Sequence, residues 1–196
     1  EFISLIYAPL YYYVSAGVML LVGKGFLAMR LVSVLASIGV GSLLYLLTRY
    51  ETKEKWWSLV TPALFLSCYE ISGAWLDLGR VDTLVLFLML ASVYLLRRRV
   101  SVATILLASA CATAAFFTKQ LVWAFYLPIA FYLGWYHRKY LLLFVTTGIG
   151  LTVPTYLFLD RFFQGWLQYF LFTLPAQHRI ESEKILGFWT HDIGFF

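Results

Sequence analysis

Arg30, Arg80 and Lys119 each stand at or near the end of a long apolar run, and Asp82 follows Arg80 by two residues. Ionisable groups at such positions are costly to desolvate and need a partner, water or a ligand. Three cations converging on one site would suit a phosphate or diphosphate, whose charge they neutralise and whose oxygens accept their hydrogen bonds. Asp82 would orient one of those cations or hold a hydroxyl. Tyr7 and Pro9, in Tyr7-Ala8-Pro9-Leu10-Tyr11-Tyr12-Tyr13, would form a wall over a lipid-borne group. Each residue also has a plainer reading. Leu76-Asp77-Leu78-Gly79-Arg80-Val81-Asp82 is then a solvated turn in which Asp82 starts the next helix. Lys119 snorkels to the headgroups, Arg30 pairs with Glu70 or another carboxylate, and the tyrosines belong to an interfacial aromatic belt.

Other chemistry is poorly supplied. The sequence lacks a Gly-x-Ser-x-Gly elbow, a phosphate-binding Walker loop and a dinucleotide glycine fingerprint. His178, Glu181, Glu183, His191 and Asp192 match no zinc spacing and read as a solvated loop, so no metal site is assigned. Cys68 and Cys111 lie inside apolar segments and read as small buried hydrophobes.

The elements that position these residues follow from composition. The chain is 62% hydrophobic and 13% charged, about half the charge of a soluble domain, which marks an integral membrane protein. The net charge of +5 does not imply nucleic acid, because the basic residues fall in short clusters between apolar runs. The fold class is all-α: a polytopic transmembrane bundle of about six spans plus an interfacial amphipathic helix. The spans are expected near residues 26–49, 56–75, 81–96, 102–118, 120–136 and 140–159. Several are nearer 16 than 20 residues and call for local bilayer thinning or extension into the turns. Residues 10–22, short and Tyr-rich at the start, are expected to lie along the interface.

Arg49, Lys53 and Lys55, then Arg97, Arg98 and Arg99, then Arg138 and Lys139 mark three basic loops. The positive-inside rule places them in the cytoplasm. Arg30, Glu70, Asp77, Arg80, Asp82, Lys119, Asp160 and Arg161 then collect at the outer face. The chain divides into an outer-face juxtamembrane segment (1–25), a transmembrane bundle (26–159) and an incomplete outer-face interfacial helix and loop (160–196).

Four stretches in this order resemble the GT-C class of polytopic glycosyltransferases, nearest to the protein O-mannosyltransferase and aminoarabinose-transferase type. Tyr7-Ala8-Pro9-Leu10-Tyr11-Tyr12 resembles that family's Pro-Pro-Leu-Tyr-Tyr segment, and Phe26-Leu27-Ala28-Met29-Arg30-Leu31-Val32-Ser33 its Ala-x-Arg-Leu-Pro-Ser segment. Arg80-Val81-Asp82-Thr83-Leu84 resembles its Arg-Pro-Asp-x-Leu loop, and Phe117-Thr118-Lys119-Gln120 its Leu-Thr-Lys-Gly turn. Ala8 in place of a second Pro, Tyr7 where Lys can stand, and Val81 in place of Pro are departures.

The resemblance implies a membrane glycosyltransferase that moves a sugar from a polyprenyl-phosphate-linked donor to a lipid, glycan or protein acceptor. It implies inverting chemistry at the extracytoplasmic face of a bacterial or archaeal plasma membrane. Arg30, Arg80, Asp82, Lys119, Tyr7 and Pro9 are the implied substrate-binding residues. The family's acidic general base follows its first span and would precede Glu1, so the chain reads as an internal portion of a longer protein and no catalytic residue is named. Divalent metals serve parts of the class; nothing in this sequence specifies a metal or any other cofactor. The bilayer is a partner and nucleic acid is not. The alternatives are a transporter or flippase for a lipid-linked or polar substrate, which would show internal repeats and broken central helices, and a non-catalytic membrane subunit.

Overall fold

Each apolar run becomes a helix, and the polar clusters between runs become the turns. The structure is a computed structural model describing residues 7–177 and Gly187; His178, Glu181, Glu183, His191 and Asp192 lie outside the described residues. The helices are α1 (Leu10–Val22), α2 (Phe26–Thr52), α3 (Lys55–Ser67), α4 (Asp82–Arg98), α5 (Val102–Thr118), α6 (Trp123–Tyr136) and α7 (Arg138–Phe162). Gln120–Val122 forms one 3₁₀ turn before α6. After α7, short helical turns over Trp166–Gln168, Tyr169–Thr173 and Leu174–Ala176 fold back. The described residues are all-α.

Two helices among the described residues are long and apolar enough to cross a membrane by themselves: α2, with 27 residues, and α7, with 25. At 1.5 Å per residue they reach about 40 and 37 Å, beyond a hydrocarbon core of about 30 Å. The other expected spans are shorter, from 13 residues in α3 to 17 in α4 and α5. Their lengths therefore do not confirm six spans.

The largest difference is α3. A span to residue 75 is expected, but the helix stops at Ser67 and residues 68–81 run as turns. Gly73 and Ala74 adopt positive φ of 70° and 59°, which no right-handed helix accommodates. The Ser67 and Ser72 hydroxyls donate to the carbonyls three residues back, competing with helical continuation. Glu70 is thus part of a turn, not the end of a span.

Packing between helices relies on small residues and buried hydroxyls. That is the expected means of association where lipid competes equally for apolar contact. Ser92 on α4 donates to Ala108 O on α5 at 2.9 Å, and Ser109 on α5 donates to Phe144 O on α7 at 3.1 Å. Around these bonds Leu96, Ile105, Ala108, Ala112, Leu133 and Phe144 form the largest buried cluster. Gly148 lets α7 approach α5: a Cβ there would meet Ser109 Oγ at 3.3 Å. Ser101 starts α5 with a reciprocal cap, its hydroxyl accepting from Thr104 N while Thr104 Oγ1 accepts from Ser101 N.

The ends of the bundle differ. At one, Arg97 makes a two-pronged bond to Glu51, Nε to Oε1 at 2.6 Å and Nη2 to Oε2 at 3.0 Å, tying the basic turns together. At the other, the start of α2, the 68–81 turns and the end of α5 meet. Ala8, fully buried, packs there against Leu167, Phe170 and Leu171 of the returning segment. Ala8, one of the departures from the Pro-Pro pattern, is thus a buried packing residue.

Candidate functional site

Residues 76–80 run alongside α2, and the sequence of each is fitted to that course. Gly79 crosses α2 where an added Cβ would lie 2.9 Å from Met29 Cβ, so only glycine passes without displacement. Ser33 and Ser37, one turn apart on α2, hold the crossing strand. The Ser37 hydroxyl donates to Leu76 O at 2.5 Å. Ser33 Oγ, completely buried, lies 3.1 Å from Arg80 O and accepts from Arg80 N at 3.3 Å. Tyr11 of α1 reaches the same point, donating to Met29 O at 2.9 Å with its oxygen 3.3 Å from Ser33 Oγ. Three elements thus meet on one serine, and the backbone of Arg80 is fixed before its side chain is considered.

That side chain spreads over Trp75, its Cζ 3.9 Å from the ring centroid, a close cation–π contact. Its Nε donates to Asp82 Oδ2 at 3.0 Å. Asp82 Oδ1 accepts from Lys119 Nζ at 2.7 Å, which joins the start of α4 to the end of α5. Lys119 Nζ also lies 5.6 Å from the Tyr7 ring centroid. The carboxylate is the least exposed of the three side chains, at 19% against 26% for Lys119 and 37% for Arg80. One carboxylate between two cations leaves a net positive charge. The Arg80 terminal nitrogens have no partner among the described residues, and the ammonium has donors beyond the one Asp82 accepts.

Asp82 opens α4, as the plainer reading has it, but its side chain does not cap the helix. Val81 occupies the cap position and the Asp82 side chain caps no backbone N–H, because both its oxygens serve the cations. Lys119 does not snorkel outward either; it turns inward onto Asp82.

Of the expected site residues, the structure gathers Arg80, Asp82, Lys119 and Tyr7. Arg30 joins a second cluster, pairing with Asp77, whose other oxygen accepts from Tyr69 Oη at 2.8 Å. This matches the plainer reading of Arg30, with Asp77 in place of Glu70 as the carboxylate. It also gives Asp77, otherwise the bystander of its turn, two partners. The Tyr69 hydroxyl, and then Arg30, hold the Asp77 carboxyl below the usual carboxylate range, while the bond to Asp77 pushes the Tyr69 phenol up. Pro9 touches none of these groups; with Tyr13, Thr113, Phe117, Leu151 and Leu159 it lines an apolar pocket of about 420 Å³ between α1, α5 and α7. Pro9 and Phe117 lie two residues along the chain from Tyr7 and Lys119 respectively, but none of the four cluster residues lines the pocket.

Trp75, Ser33 and Tyr11 were not singled out as site residues from sequence. Ser33 and Tyr11 lie within the motif-like stretches, but their hydroxyls become informative only once the 76–80 crossing is known.

The family model described as dolichyl-phosphate-mannose-protein mannosyltransferase matches residues 7–160. The chain belongs to this family. The match contains every residue of both clusters and the apolar pocket, and it agrees with the GT-C resemblance of the four motif stretches. Members are integral membrane glycosyltransferases of the mannosyltransferase type, and α2 and α7 are of membrane-crossing length. No curated protein and no solved structure matches the chain.

Proposed function

We propose that this chain binds a polyprenyl-phosphate-linked sugar and takes part in transferring that sugar to an acceptor at the extracytoplasmic face. The observation that carries the reading is the Arg80–Asp82–Lys119 cluster, with a separate apolar pocket lined by Pro9 and Phe117, near neighbours in the chain of Tyr7 and Lys119. An anionic head and an isoprenoid tail need one of each. Arg80 and Lys119 hold the phosphate through donors that Asp82 leaves unused. Asp82 keeps the two cations from repelling each other and sets their spacing. The tail lies beneath α1 along Pro9, Tyr13 and Phe117.

As the sugar–oxygen bond breaks, negative charge grows on the departing phosphate. Donors fixed in advance stabilise that charge more than they stabilise the intact donor, which is the condition for accelerating the step. Asp82 has both oxygens engaged by cations, so it positions and does not serve as the base that activates the acceptor. The six apolar runs are read as spans, the shorter ones extended by their polar turns or met by a thinner bilayer.

The test incubates the full-length protein in membranes with labelled polyprenyl-phosphate mannose and follows release of polyprenyl phosphate. Release is expected, with Arg80→Gln and Lys119→Gln each lowering it by about 10²-fold, the scale of losing one charge-stabilising donor. Absence of release, or undiminished release in both variants, overturns the reading.

A further inference from the structure

Three buried side-chain oxygens among the described residues have no hydrogen-bond partner: Ser15 Oγ, Thr83 Oγ1 and Gln120 Oε1. Ser15 sits on α1. The other two are the sequence neighbours of Asp82 and Lys119, the residues joined at 2.7 Å. Thr83 is 3% exposed and Gln120 is 9% exposed, so bulk water does not serve them. Protein interiors rarely leave such groups unpaired, and each exception calls for an explanation. Two exceptions that each follow, in the chain, one member of the same ion pair call for a common one.

Local structure does not supply it. Thr83 lies in the first turn of α4, where a hydroxyl could bond a backbone group, yet it makes no such bond. Gln120 opens the 3₁₀ turn, and its carbonyl oxygen accepts nothing. The residue is also unusual in kind. Phe117-Thr118-Lys119-Gln120 carries glutamine where the Leu-Thr-Lys-Gly pattern has glycine. An amide side chain stands in a buried position, next in the chain to Lys119 of the cationic cluster, where the pattern has no side chain at all.

We infer that Thr83 and Gln120 form a hydroxyl-binding subsite that selects the sugar of the donor. The inference rests on the reading of the Asp82 cluster as a phosphate site. A sugar joined to that phosphate carries its hydroxyls within a few bonds of the anion. A sugar hydroxyl donates to Gln120 Oε1, and the Thr83 hydroxyl accepts from, or donates to, a second one. Neutral partners of this kind suit a sugar. They would contribute little to holding a phosphate, which Arg80 and Lys119 already serve. A site that leaves buried polar atoms unpaired discriminates strongly against a ligand lacking the matching hydroxyl.

The test measures kcat/KM of the full-length protein for polyprenyl-phosphate mannose and for its 2-, 3-, 4- and 6-deoxy analogues. The wild type is expected to disfavour at least one deoxy donor by about a hundredfold or more. Thr83→Val and Gln120→Met, near in shape but without the hydrogen bond, should each reduce that ratio at least tenfold. Gln120→Gly, which restores the pattern residue, should do the same and guards against a packing fault in the methionine variant. Asp82→Asn should slow all donors alike and leave the ratio unchanged. Equal use of all donors by the wild type overturns the subsite, as do unchanged ratios in Thr83→Val and both Gln120 variants. Failure of the wild type to turn over any donor overturns the phosphate-site reading itself.

Discussion

Asp77 and Asp82 are the same residue type, five positions apart in one turn region, each bonded to an arginine and one further donor. Their surroundings separate them. Asp77 accepts from Arg30 and Tyr69 near the surface of the bundle, with its side chain 28% exposed and that of Arg30 48% exposed. Asp82 accepts from Arg80 and Lys119 at the junction of α4 and α5, with its side chain 19% exposed. The first arrangement closes a turn against α2. The second holds two cations together around a less exposed carboxylate and leaves part of their hydrogen-bonding capacity unused. Electrostatic interactions strengthen as solvent is withdrawn, so equal formal chemistry gives a surface clasp in one case and, in the reading proposed above, an anion site in the other.

The hardest test of that contrast neutralises each carboxylate. Asp82→Asn removes the counter-charge from two close cations and misplaces both. Transfer from polyprenyl-phosphate mannose by the full-length protein should fall by about 10²-fold or more, the scale seen when a fixed electrostatic group is lost. Asp77→Asn should leave the rate within about threefold of wild type, as expected for an exposed pair screened by solvent. Comparable losses in the two variants would erase the distinction. A larger loss in Asp77→Asn would reverse it and return Arg30 to the site.

Beneath the contrast lies the serine that fixes Arg80 from behind. Ser33→Ala strips two contacts from the Arg80 backbone and leaves its N–H with only the 2.6 Å bond to Leu78 O. A cost of about 1–3 kcal/mol follows from leaving buried polar groups unpaired, read as a lower midpoint of thermal unfolding in detergent. Tyr11→Phe deletes the third hydroxyl of the same knot. Because the groups share partners, the double variant should lose less stability than the sum of the singles. Strict additivity would show that α1 and the 76–80 crossing are held independently.

What the sequence disclosed, and what it withheld, follows from the range of the interactions. Hydropathy and basic clusters are local signals, and they locate the helices α2 and α4–α7 to within a few residues. The grouping of Arg80, Asp82 and Lys119 was legible because all three end apolar runs on one side. The end of α3 was not, since Trp75 and Leu76 prolong the apolar run while Gly73 and Ala74 bend the backbone out of the helix. The carboxylate that pairs with Arg30 was not legible for a related reason. The position of Arg30 on α2 was sound, but its partner depended on how residues 68–81 fold back, and no local pattern encodes that path. Gln120 was masked by its motif: the likeness to Leu-Thr-Lys-Gly drew attention to the lysine and away from the residue that differs.

The smallest predicted effect sharpens the comparison from the Asp77 side. A carboxyl held below its ordinary range in the folded chain stabilises it fully above the unfolded-state value of about 4. That contribution fades as pH falls through the lowered folded-state value. The Tyr69 phenol is pushed up, so its contribution is complete below about pH 10 and fades as pH rises through the raised folded-state value. The clasp should therefore be flat in pH between those limits and weaken beyond each. In unfolding scans, the gap between wild type and Asp77→Asn should stay constant through neutral pH and shrink below about pH 4. Tyr69→Phe, which removes only the hydroxyl, should abolish the alkaline edge and preserve the acid one through Arg30. A gap that changes near neutrality would mean that the Asp77 carboxylate senses a group other than these two partners, and the clasp would then lose its standing as a self-contained surface feature.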